Sequence, residues 1–383
     1  MTEAELYRLY KGVYMPVNTH TPATLKFSEE FSFRPDDVVI VTYPKSGTTW
    51  MQEIVPLILN GGDVATVETI QNWLRVPWLE SLPTVNLNLD KRPSPRILAT
   101  HLQRNMMSPS FFEVRPKVIY VSRNIKDVFT SSFHFTSMAT FLVTPDSKSD
   151  FLQKFIDGKV AFGSWFDHVK SWYSCDDKDR IFYITYEEMK LDLKDAVTRL
   201  AEFLEKPLDA EVTEKIADKC LFKNMRENKM SNYSQVSPKY LDQTKSEFLR
   251  KGEVGDWKNL LTMEEAEYID AVCKEKMKEV SYHGNKFFLA TQLVPIISSS
   301  LLDINFLVPH CVTANICSEI FKRVPVSGPR GMELTPQSPE ETSVHEGPLD
   351  LTRVPYTTTT SSKQNSAIRL EQQKGEVERL QDY

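Results

Sequence analysis

Three short features of this sequence could carry chemistry. The segment 43–50 reads YPKSGTTW and places a lysine and a glycine inside a short polar loop. Far along the chain, Arg250–Gly252 sets two cations before a glycine. His101 ends a short apolar run, and an imidazole with its ordinary pKa of about 6.5 can accept a proton at neutral pH. These residue types suit the binding of a phosphate-like group and general-base chemistry.

A buried strand and a helix are expected on either side of the 43–50 loop. The β-branched run Val38–Thr42 is typical of a strand, which Pro44 cannot continue. Gly47 allows a tight turn, and the hydroxyl side chains around it are common helix N-caps. Backbone N–H groups at such a helix start, beside the charge of Lys45, predict an anion site. An ordinary strand–helix turn with a surface lysine is the alternative.

The 43–50 loop is not a Walker A sequence. GxxxxGK[ST] needs its lysine after the last glycine, whereas Lys45 precedes Gly47. The sequence also lacks an evident carboxylate for Mg²⁺, so it predicts no metal site. Both observations argue against a P-loop NTPase or a kinase.

Three further apolar runs, 96–101, 117–122 and 180–186, look like strands. Because helical stretches separate them, the pattern predicts an α/β fold, a three-layer sandwich with a central parallel sheet. Ligands bind beyond the carboxyl ends of such strands, so polar residues at those ends are expected to share one site. These residues are Lys45, His101, Arg123 and Tyr186.

Periodicity and breaker residues predict the other elements. The first 30 residues indicate an irregular or short helical lead-in. A helix is expected at 48–60, where Pro56 predicts a kink or an early end. Residues 64–95 are loop-rich, and their tryptophans suit either a pocket wall or a satellite core. Further helices are expected at about 150–173, 191–205, 210–220 and 263–279.

Charge and cysteine usage limit the possible partners. The net charge of −6 argues against a nucleic-acid partner, although a small polyanion needs only a local cationic cluster. Five cysteines without a CxxC pair favour free thiols in a reducing compartment over disulfides or zinc. The N-terminus lacks an apolar signal segment, and no apolar run reaches the roughly 18–20 residues of a membrane span. These features predict a cytoplasmic protein with no membrane partner.

The C-terminal part differs in character from the rest of the chain. Segment 283–324 is apolar but interrupted by prolines, and 325–383 is polar with two tyrosines as its only aromatic residues. A segment of that composition cannot offset the entropy of ordering, so a disordered tail is expected. The predicted organisation is a domain at 1–282, an apolar extension at 283–324 and a disordered tail at 325–383.

The chain resembles the cytosolic sulfotransferase family over about residues 14–282. The resemblance rests on YPKSGTTW and on KFSEEFSFRPDDVVIVTYPKSGTTWMQEI and CLFKNMRENKMSNYS, and it looks closest to subfamily 6B. It implies the P-loop NTPase-like sulfotransferase fold. It also implies transfer of a sulfuryl group from 3′-phosphoadenosine 5′-phosphosulfate (PAPS, product PAP) to a small acceptor. That acceptor would be a phenol, iodothyronine, steroid or amine.

Matching positions in the family imply the residue roles. His101 matches the general base, and Lys45 matches the group that stabilises the leaving oxygen. The remaining matches form a 5′-phosphosulfate loop, an adenine side and a 3′-phosphate site. Together the implied cofactor residues are Lys45, Ser46, Gly47, Thr48, Thr49, Trp50, Arg123, Ser131, Tyr186, Cys220, Phe222, Met225, Phe248, Leu249, Arg250, Lys251 and Gly252.

Three features modify what the resemblance implies. Ala99 stands where many family members have the lysine of KTH, which predicts lower activity or a narrower acceptor range. The C-terminal extension has no counterpart in the family pattern. Segment 258–267 partly matches the family's dimer motif, with Met263 in place of valine, so a homodimer is expected unless the extension obstructs it. A weak or inactive nucleotide-binding relative that acts as an interaction protein stays open as the alternative.

Overall fold

The structure is a computed structural model that describes residues 3–278 and 280. The predicted apolar extension at 283–324 and the predicted tail at 325–383 lie outside the described residues. The strands of the described part are β1 (Tyr7–Tyr10), β2 (Val13–Pro16), β3 (Val38–Thr42), β4 (Ile97–Thr100), β5 (Lys117–Ser122) and β6 (Ile181–Thr185).

Helices cover about half of the rest of the described chain, and short 3₁₀ turns join some of them. The helices are α1 (Glu3–Leu6), α2 (Pro22–Glu30), α3 (Thr48–Leu59), α4 (Ala65–Thr69), α5 (Asn72–Arg75), α6 (Leu82–Asn86), α7 (Pro109–Val114), α8 (Ile125–Met138), α9 (Lys148–Ile156), α10 (Trp165–Tyr173), α11 (Tyr186–Leu191), α12 (Leu193–Phe203), α13 (Ala210–Lys219), α14 (Phe222–Glu227) and α15 (Met263–Lys276).

The central sheet is parallel, with strand order β4-β3-β5-β6. In its register Ile40 of β3 lies beside Ala99 of β4 and Ile119 of β5. Side chains alternate across the sheet, so Val39 and Val41 enter one apolar cluster and Ile40 enters the other. The first cluster is covered by α2, α7 and α10, and the second by α3, α12 and α13. The predicted α/β three-layer sandwich is confirmed.

The helix expected at 48–60 is present as α3 and continues past Pro56 to Leu59, so of the kink or early end predicted there the early end does not occur. A proline has no N–H and leaves the carbonyl four residues earlier without its helical donor. Here Arg75 Nε donates to the carbonyl of Gln52 at 3.4 Å. Gly61 and Gly62 then end the helix with positive φ angles of 62° and 82°.

Two other local predictions need correction. The N-terminal lead-in contains an antiparallel hairpin of β1 and β2, which turns at Lys11 and Gly12 with φ angles of 49° and 81°. The single helix expected at about 150–173 is two helices, α9 and α10. Between them Gly158 has a φ of 74°, and a Cβ there would lie 3.0 Å from the backbone nitrogen of Ser164. None of the helices in the described residues is long and apolar enough to cross a membrane.

Candidate functional site

The carboxyl ends of the four parallel strands carry the polar residues that the sequence placed there. Lys45 follows β3, His101 follows β4, Arg123 follows β5 and Tyr186 follows β6. All four line one cavity of about 1150 Å³. The structure therefore brings these four residues together at one cavity.

The loop between β3 and α3 is held in an uncommon backbone conformation. Lys45 has a positive φ of 66°, and Gly47 has a φ of 114° that a residue with a Cβ rarely adopts. A Cβ on Gly47 would lie 3.1 Å from Tyr186 Cδ2. Gly47 is the residue preceding α3 and offers no side-chain cap, so the predicted hydroxyl N-cap is wrong. Since the first helical turn leaves its N–H groups without intrahelical partners, the loop can cradle an anion.

Lys45 is half-buried and lies among cations and aromatic rings. Its Nζ lies 4.1 Å from the ring centroid of Phe135 and 4.7 Å from that of Phe248. Burial, together with the positive charges of Arg123 and Arg250, lowers the pKa of Lys45 to about 7. An anion in the cavity would offset both effects and favour the charged form.

Arg123 links the loop to the far side of the cavity. Its two terminal nitrogens donate to the carbonyls of Lys45 at 3.1 Å and Glu253 at 3.0 Å. The guanidinium lies 4.1 Å from the centroid of the Tyr186 ring. Its Nε is buried and has no hydrogen-bond partner among the described residues. Two hydrogen bonds thus hold the arginine in place, and its Nε can still donate to a ligand.

Three aromatic residues form an apolar side of the cavity. Trp50 and Tyr186 meet edge to face with centroids 5.3 Å apart. Trp50 Nε1 donates to the carbonyl of Cys220 at 2.9 Å. Phe222 approaches Gly252 so closely that a Cβ there would lie 2.2 Å from its ring. This slot suits a flat heteroaromatic ring.

The cations of the 250–252 segment are held by one buried carboxylate. Asp256 accepts hydrogen bonds from both Arg250 and Lys251. Burial would raise the pKa of Asp256, but the hydrogen bonds from Lys251, Asn259 and Arg250 hold it well below its usual range. Arg250 and Lys251 line the cavity, so their charges face it from a fixed position.

His101 has a defined tautomer. Its Nδ1 lies 2.7 Å from the carbonyl oxygen of Thr42, which can only accept, so Nδ1 carries the proton and Nε2 keeps its lone pair. The ring packs against Trp78 at 4.4 Å and Phe162 at 4.9 Å between centroids. Burial lowers its pKa to about 3, against the hydrogen bond to Thr42 that raises it. The imidazole is therefore neutral at physiological pH in the ligand-free protein, with a free lone pair on Nε2.

Glu80 anchors the end of β4 from inside the cavity wall. One of its oxygens accepts from the backbone N–H of His101 at 2.8 Å, and the other accepts from Thr100 Oγ1 at 2.8 Å. Burial raises the pKa of Glu80 to about 7, although both hydrogen bonds lower it. This carboxyl fixes the backbone of the histidine.

Nearly all the residues in the sequence-based set line the cavity. The exceptions are Ser46, which is buried behind the loop with an unpartnered Oγ among the described residues, and Cys220. The Cys220 side chain packs in the core, and only its carbonyl reaches the site, through Trp50. The other residues of the set that line the cavity are Thr48, Thr49, Ser131, Met225, Phe248 and Leu249.

Sequence reasoning missed several residues that position the site. Thr42 joins the loop to the base, since its Oγ1 lies 2.6 Å from Thr48 Oγ1 and its carbonyl accepts from His101. Asp256 could have been suspected from an acid placed soon after two adjacent cations. Glu80 had no such signal, because its partners lie 20 and 21 residues away along the chain.

The cavity fits a nucleotide that carries several negative charges. Its lining includes the cations Lys45, Arg123, Arg250 and Lys251. An aromatic slot lies beside them, and a glycine is required where a side chain would fill the slot. Buried polar atoms of Ser46 and Arg123 lack partners among the described residues. A parallel α/β fold with this anion site and an adjacent neutral histidine defines a group-transfer enzyme of the nucleotide-binding class.

Comparisons with known proteins identify the family. The sulfotransferase domain family model matches residues 35–281, so the chain belongs to that family. Mouse sulfotransferase 2B1 is 43% identical over 275 residues, covering 72% of this chain and 81% of the relative. Mouse sulfotransferase 1B1 is 44% identical over 254 residues, covering 65% and 85%. The crystal structure of mouse sulfotransferase SULT7A1 complexed with PAP aligns with a TM-score of 0.61 at 29% identity, covering 72% of this chain and 96% of that one.

Proposed function

We propose that this sulfotransferase takes the sulfuryl group of PAPS and transfers it to the hydroxyl or amine of a small acceptor, with His101 as general base. The observation that carries the proposal is the neutral His101, which lines the same cavity as the cations of the anion site and has a proton-free Nε2. When bound, PAPS supplies the sulfuryl group and a nucleotide leaving group.

Some of the chain's own residues would stabilise negative charge, and His101 would accept the proton. Lys45 stabilises negative charge that develops on the leaving oxygen, and the loop N–H groups hold the transferring group. Arg123, Arg250 and Lys251 bind the remaining phosphate charge, in which arginine's planar fork also fixes orientation. His101 Nε2 takes the proton of the acceptor hydroxyl, a step that is typically worth about 10²–10⁴-fold in rate.

The cofactor residues implied by the family pattern keep their proposed roles. Lys45 to Trp50 grip the 5′-phosphosulfate, while Arg123 and Ser131, with the 250–252 segment, bind the 3′-phosphate. Trp50, Tyr186 and Phe222 hold the adenine. Cys220 acts through its carbonyl, which orients the Trp50 ring.

The acceptor cavity favours apolar, ring-containing molecules. Phe141, Phe155, Phe162 and Trp78 contribute to its wall. We therefore propose phenols, iodothyronines, steroids and amines as acceptors. Transfer of labelled sulfate from PAPS to a panel of these compounds tests the function. Transfer to one or more is expected, and nucleotide binding with no transfer to any would support the alternative below.

A weak or inactive family member that binds PAPS or PAP and acts as an interaction protein is the second candidate. It is favoured by Ala99, which is fully buried in the apolar cluster behind the sheet and offers no charge to the transferring group. The neutral His101 and the presence of Lys45, Arg123, Arg250 and Lys251 favour the first candidate, an active sulfotransferase.

Three finer assignments belong to the proposal. Subfamily 6B rests on the sequence resemblance, and the relatives described above carry subfamily 1 and 2 names. A cytoplasmic location is supported by the free, buried thiols of Cys175, Cys220 and Cys273. A homodimer through 258–267 is supported by Met263, whose side chain is 70% exposed at the start of α15.

A further inference from the structure

A second histidine lies in the cavity wall near His101 and has no part in the proposed transfer. His20 follows β2, is 4% exposed and lines the cavity. Its ring packs edge-on against Phe162 with centroids 5.1 Å apart, and Phe162 packs against His101 at 4.9 Å. The two imidazoles are therefore neighbours across a single aromatic ring.

His20 presents one ring nitrogen that is not used by the fold. Its Nδ1 lies 3.2 Å from the carbonyl oxygen of Pro16 and 2.9 Å from Thr19 Oγ1. The Pro16 carbonyl can only accept, and the Nδ1 proton that serves it leaves the lone pair on Nε2, with the Thr19 hydroxyl as a second acceptor for Nδ1. In the part of the chain that the structure describes, Nε2 has no hydrogen-bond donor. Nε2 is not among the fully buried atoms that lack a partner, and His20 lines the cavity, so a hydroxyl of a ligand there can donate to Nε2.

The surroundings hold His20 in place and keep it uncharged. Arg8 donates to the carbonyl of His20 at 3.3 Å, and Leu82 donates its N–H to the carbonyl of Thr19 at 2.9 Å. Burial lowers the pKa of His20 to about 4, so the ring is neutral at pH 7. A neutral acceptor nitrogen suits an O–H donor and gives no charge to pair with a carboxylate.

We propose that His20 Nε2 accepts a hydrogen bond from a second hydroxyl of the sulfate acceptor, so that the enzyme selects molecules with two hydroxyl groups. One hydroxyl lies at His101 and reacts, and the other is bound at His20. The proposal rests on the proposed function. A site that hydrogen-bonds a substrate hydroxyl discriminates against analogues without it.

The test uses phenols with para-alkyl chains of graded length that end in a methyl, methoxy or hydroxyl group. At the chain length that spans the two histidines, the hydroxyl-ended phenol is expected to exceed its methoxy counterpart in kcat/KM by about tenfold, the value of one hydrogen bond. Mass spectrometry confirms that the phenol is the sulfated group. The methyl-ended phenols cannot hydrogen-bond to His20, so their kcat/KM shows whether a variant has lost activity for another reason.

Substitutions of His20 test whether this residue causes the preference for the hydroxyl-ended phenol. His20→Phe keeps the aromatic contact with Phe162 and should bring the hydroxyl-to-methoxy ratio to about one. His20→Gln keeps an acceptor atom and should retain part of the preference. The matched control is His134→Phe, a histidine outside the cavity wall, which should keep the wild-type ratio. A wild-type ratio near one at every length, or a preference that survives in His20→Phe, would overturn the proposal.

A binding measurement separates this proposal from the proposed function. Quenching of tryptophan fluorescence, which Trp78 in the cavity wall makes sensitive to acceptor binding, gives Kd values for the same phenols on PAP-bound protein. If no phenol is sulfated but the hydroxyl-ended compound still binds about tenfold more tightly in a His20-dependent way, only the proposed function fails. If transfer occurs without that preference, only the role of His20 fails.

Discussion

At the scale of single residues, the chemistry of His101 depends on one backbone carbonyl. The sequence could place a histidine at a strand end and suggest a base. It could not give the tautomer, because Thr42, whose carbonyl accepts from Nδ1, lies 59 residues away in the chain. The same threonine contacts the anion loop through Thr48. Base and loop are thus fixed by one residue that sequence patterns did not identify.

The protonation state of His101 can be measured directly. In nucleotide-free protein, burial lowers its pKa to about 3, so the imidazole should stay neutral from about pH 8 down to about pH 5. Nitrogen NMR of labelled histidines should show a protonated Nδ1 and a bare Nε2 throughout, with His101→Gln used to assign the signal. A titration midpoint near the ordinary value of about 6.5 would contradict the buried, neutral base.

The lowered pKa of Lys45 predicts that the protein takes up a proton when the nucleotide binds. A pKa of about 7 in the free protein leaves Lys45 mostly neutral at about pH 8 and mostly charged at about pH 6. Bound phosphate charge raises that pKa, so binding of PAP should take up close to one proton at the higher pH and far less from Lys45 at the lower pH. Calorimetry in buffers of different ionisation enthalpy measures the uptake.

The control for this linkage is Lys45→Met, in which the uptake at about pH 8 should largely disappear. Subtracting the variant from the wild type removes protons that the phosphates themselves exchange. An uptake that is the same in both proteins would show that Lys45 is already fully charged before the nucleotide binds.

At the scale of elements, the strands were predictable and some connections were not. Fully buried parallel strands appear as continuous apolar runs, so the four strands of the sheet and the residues after them could be located. The β1–β2 hairpin was missed, since a Lys-Gly turn is a weak signal inside a polar segment. The break between α9 and α10 depends on Gly158 and Gly163, both with positive φ, within a pattern that otherwise favours one helix.

Two glycines of the 250–255 loop separate a steric effect from backbone strain. Gly252 and Gly255 both have positive φ, but a Cβ meets the Phe222 ring only at Gly252 and meets nothing within 4 Å at Gly255. Each change to alanine should cost about 1 kcal/mol of unfolding free energy for backbone strain. Gly252→Ala should also displace Phe222 and weaken PAP binding by about tenfold, that is, about 1.4 kcal/mol.

Gly255→Ala is the matched control for that prediction. Its PAP affinity should remain within about twofold of wild type, as measured by calorimetry, while chemical unfolding reports the stability of both variants. Equal loss of affinity in the two variants would mean that Phe222 is not a wall of the nucleotide site.

At the scale of the whole molecule, the family and the three-layer fold followed from a few motifs and strand positions. The sequence could not show which of the many buried polar residues, such as Glu80 and Asp256, organise the site. Their partners come from distant parts of the chain, and a single sequence holds no record of those contacts. The pocket role of the 64–95 segment was left open, and the structure places Trp73 and Trp78 in the cavity wall.

The oligomeric state is predicted from one exposed apolar residue. Met263 lies at the first position of α15 within 258–267. Met263→Glu should convert the proposed dimer to a monomer without loss of stability, because an acidic residue is favourable at a helix N-terminus. Light scattering coupled to size-exclusion chromatography measures the mass of the full chain and of residues 1–283. A wild-type monomer in both forms would exclude a dimer through this segment.

The most direct test of the whole account is sulfuryl transfer by His101→Ala, with PAP binding measured on the same preparation. Loss of the base should lower kcat/KM for the best acceptor by about 10²–10⁴-fold. The Kd for PAP should stay within about threefold of wild type, since the cations and the aromatic slot are unchanged. His134→Ala, outside the cavity, should behave like wild type. Transfer by His101→Ala at the wild-type rate would contradict the account.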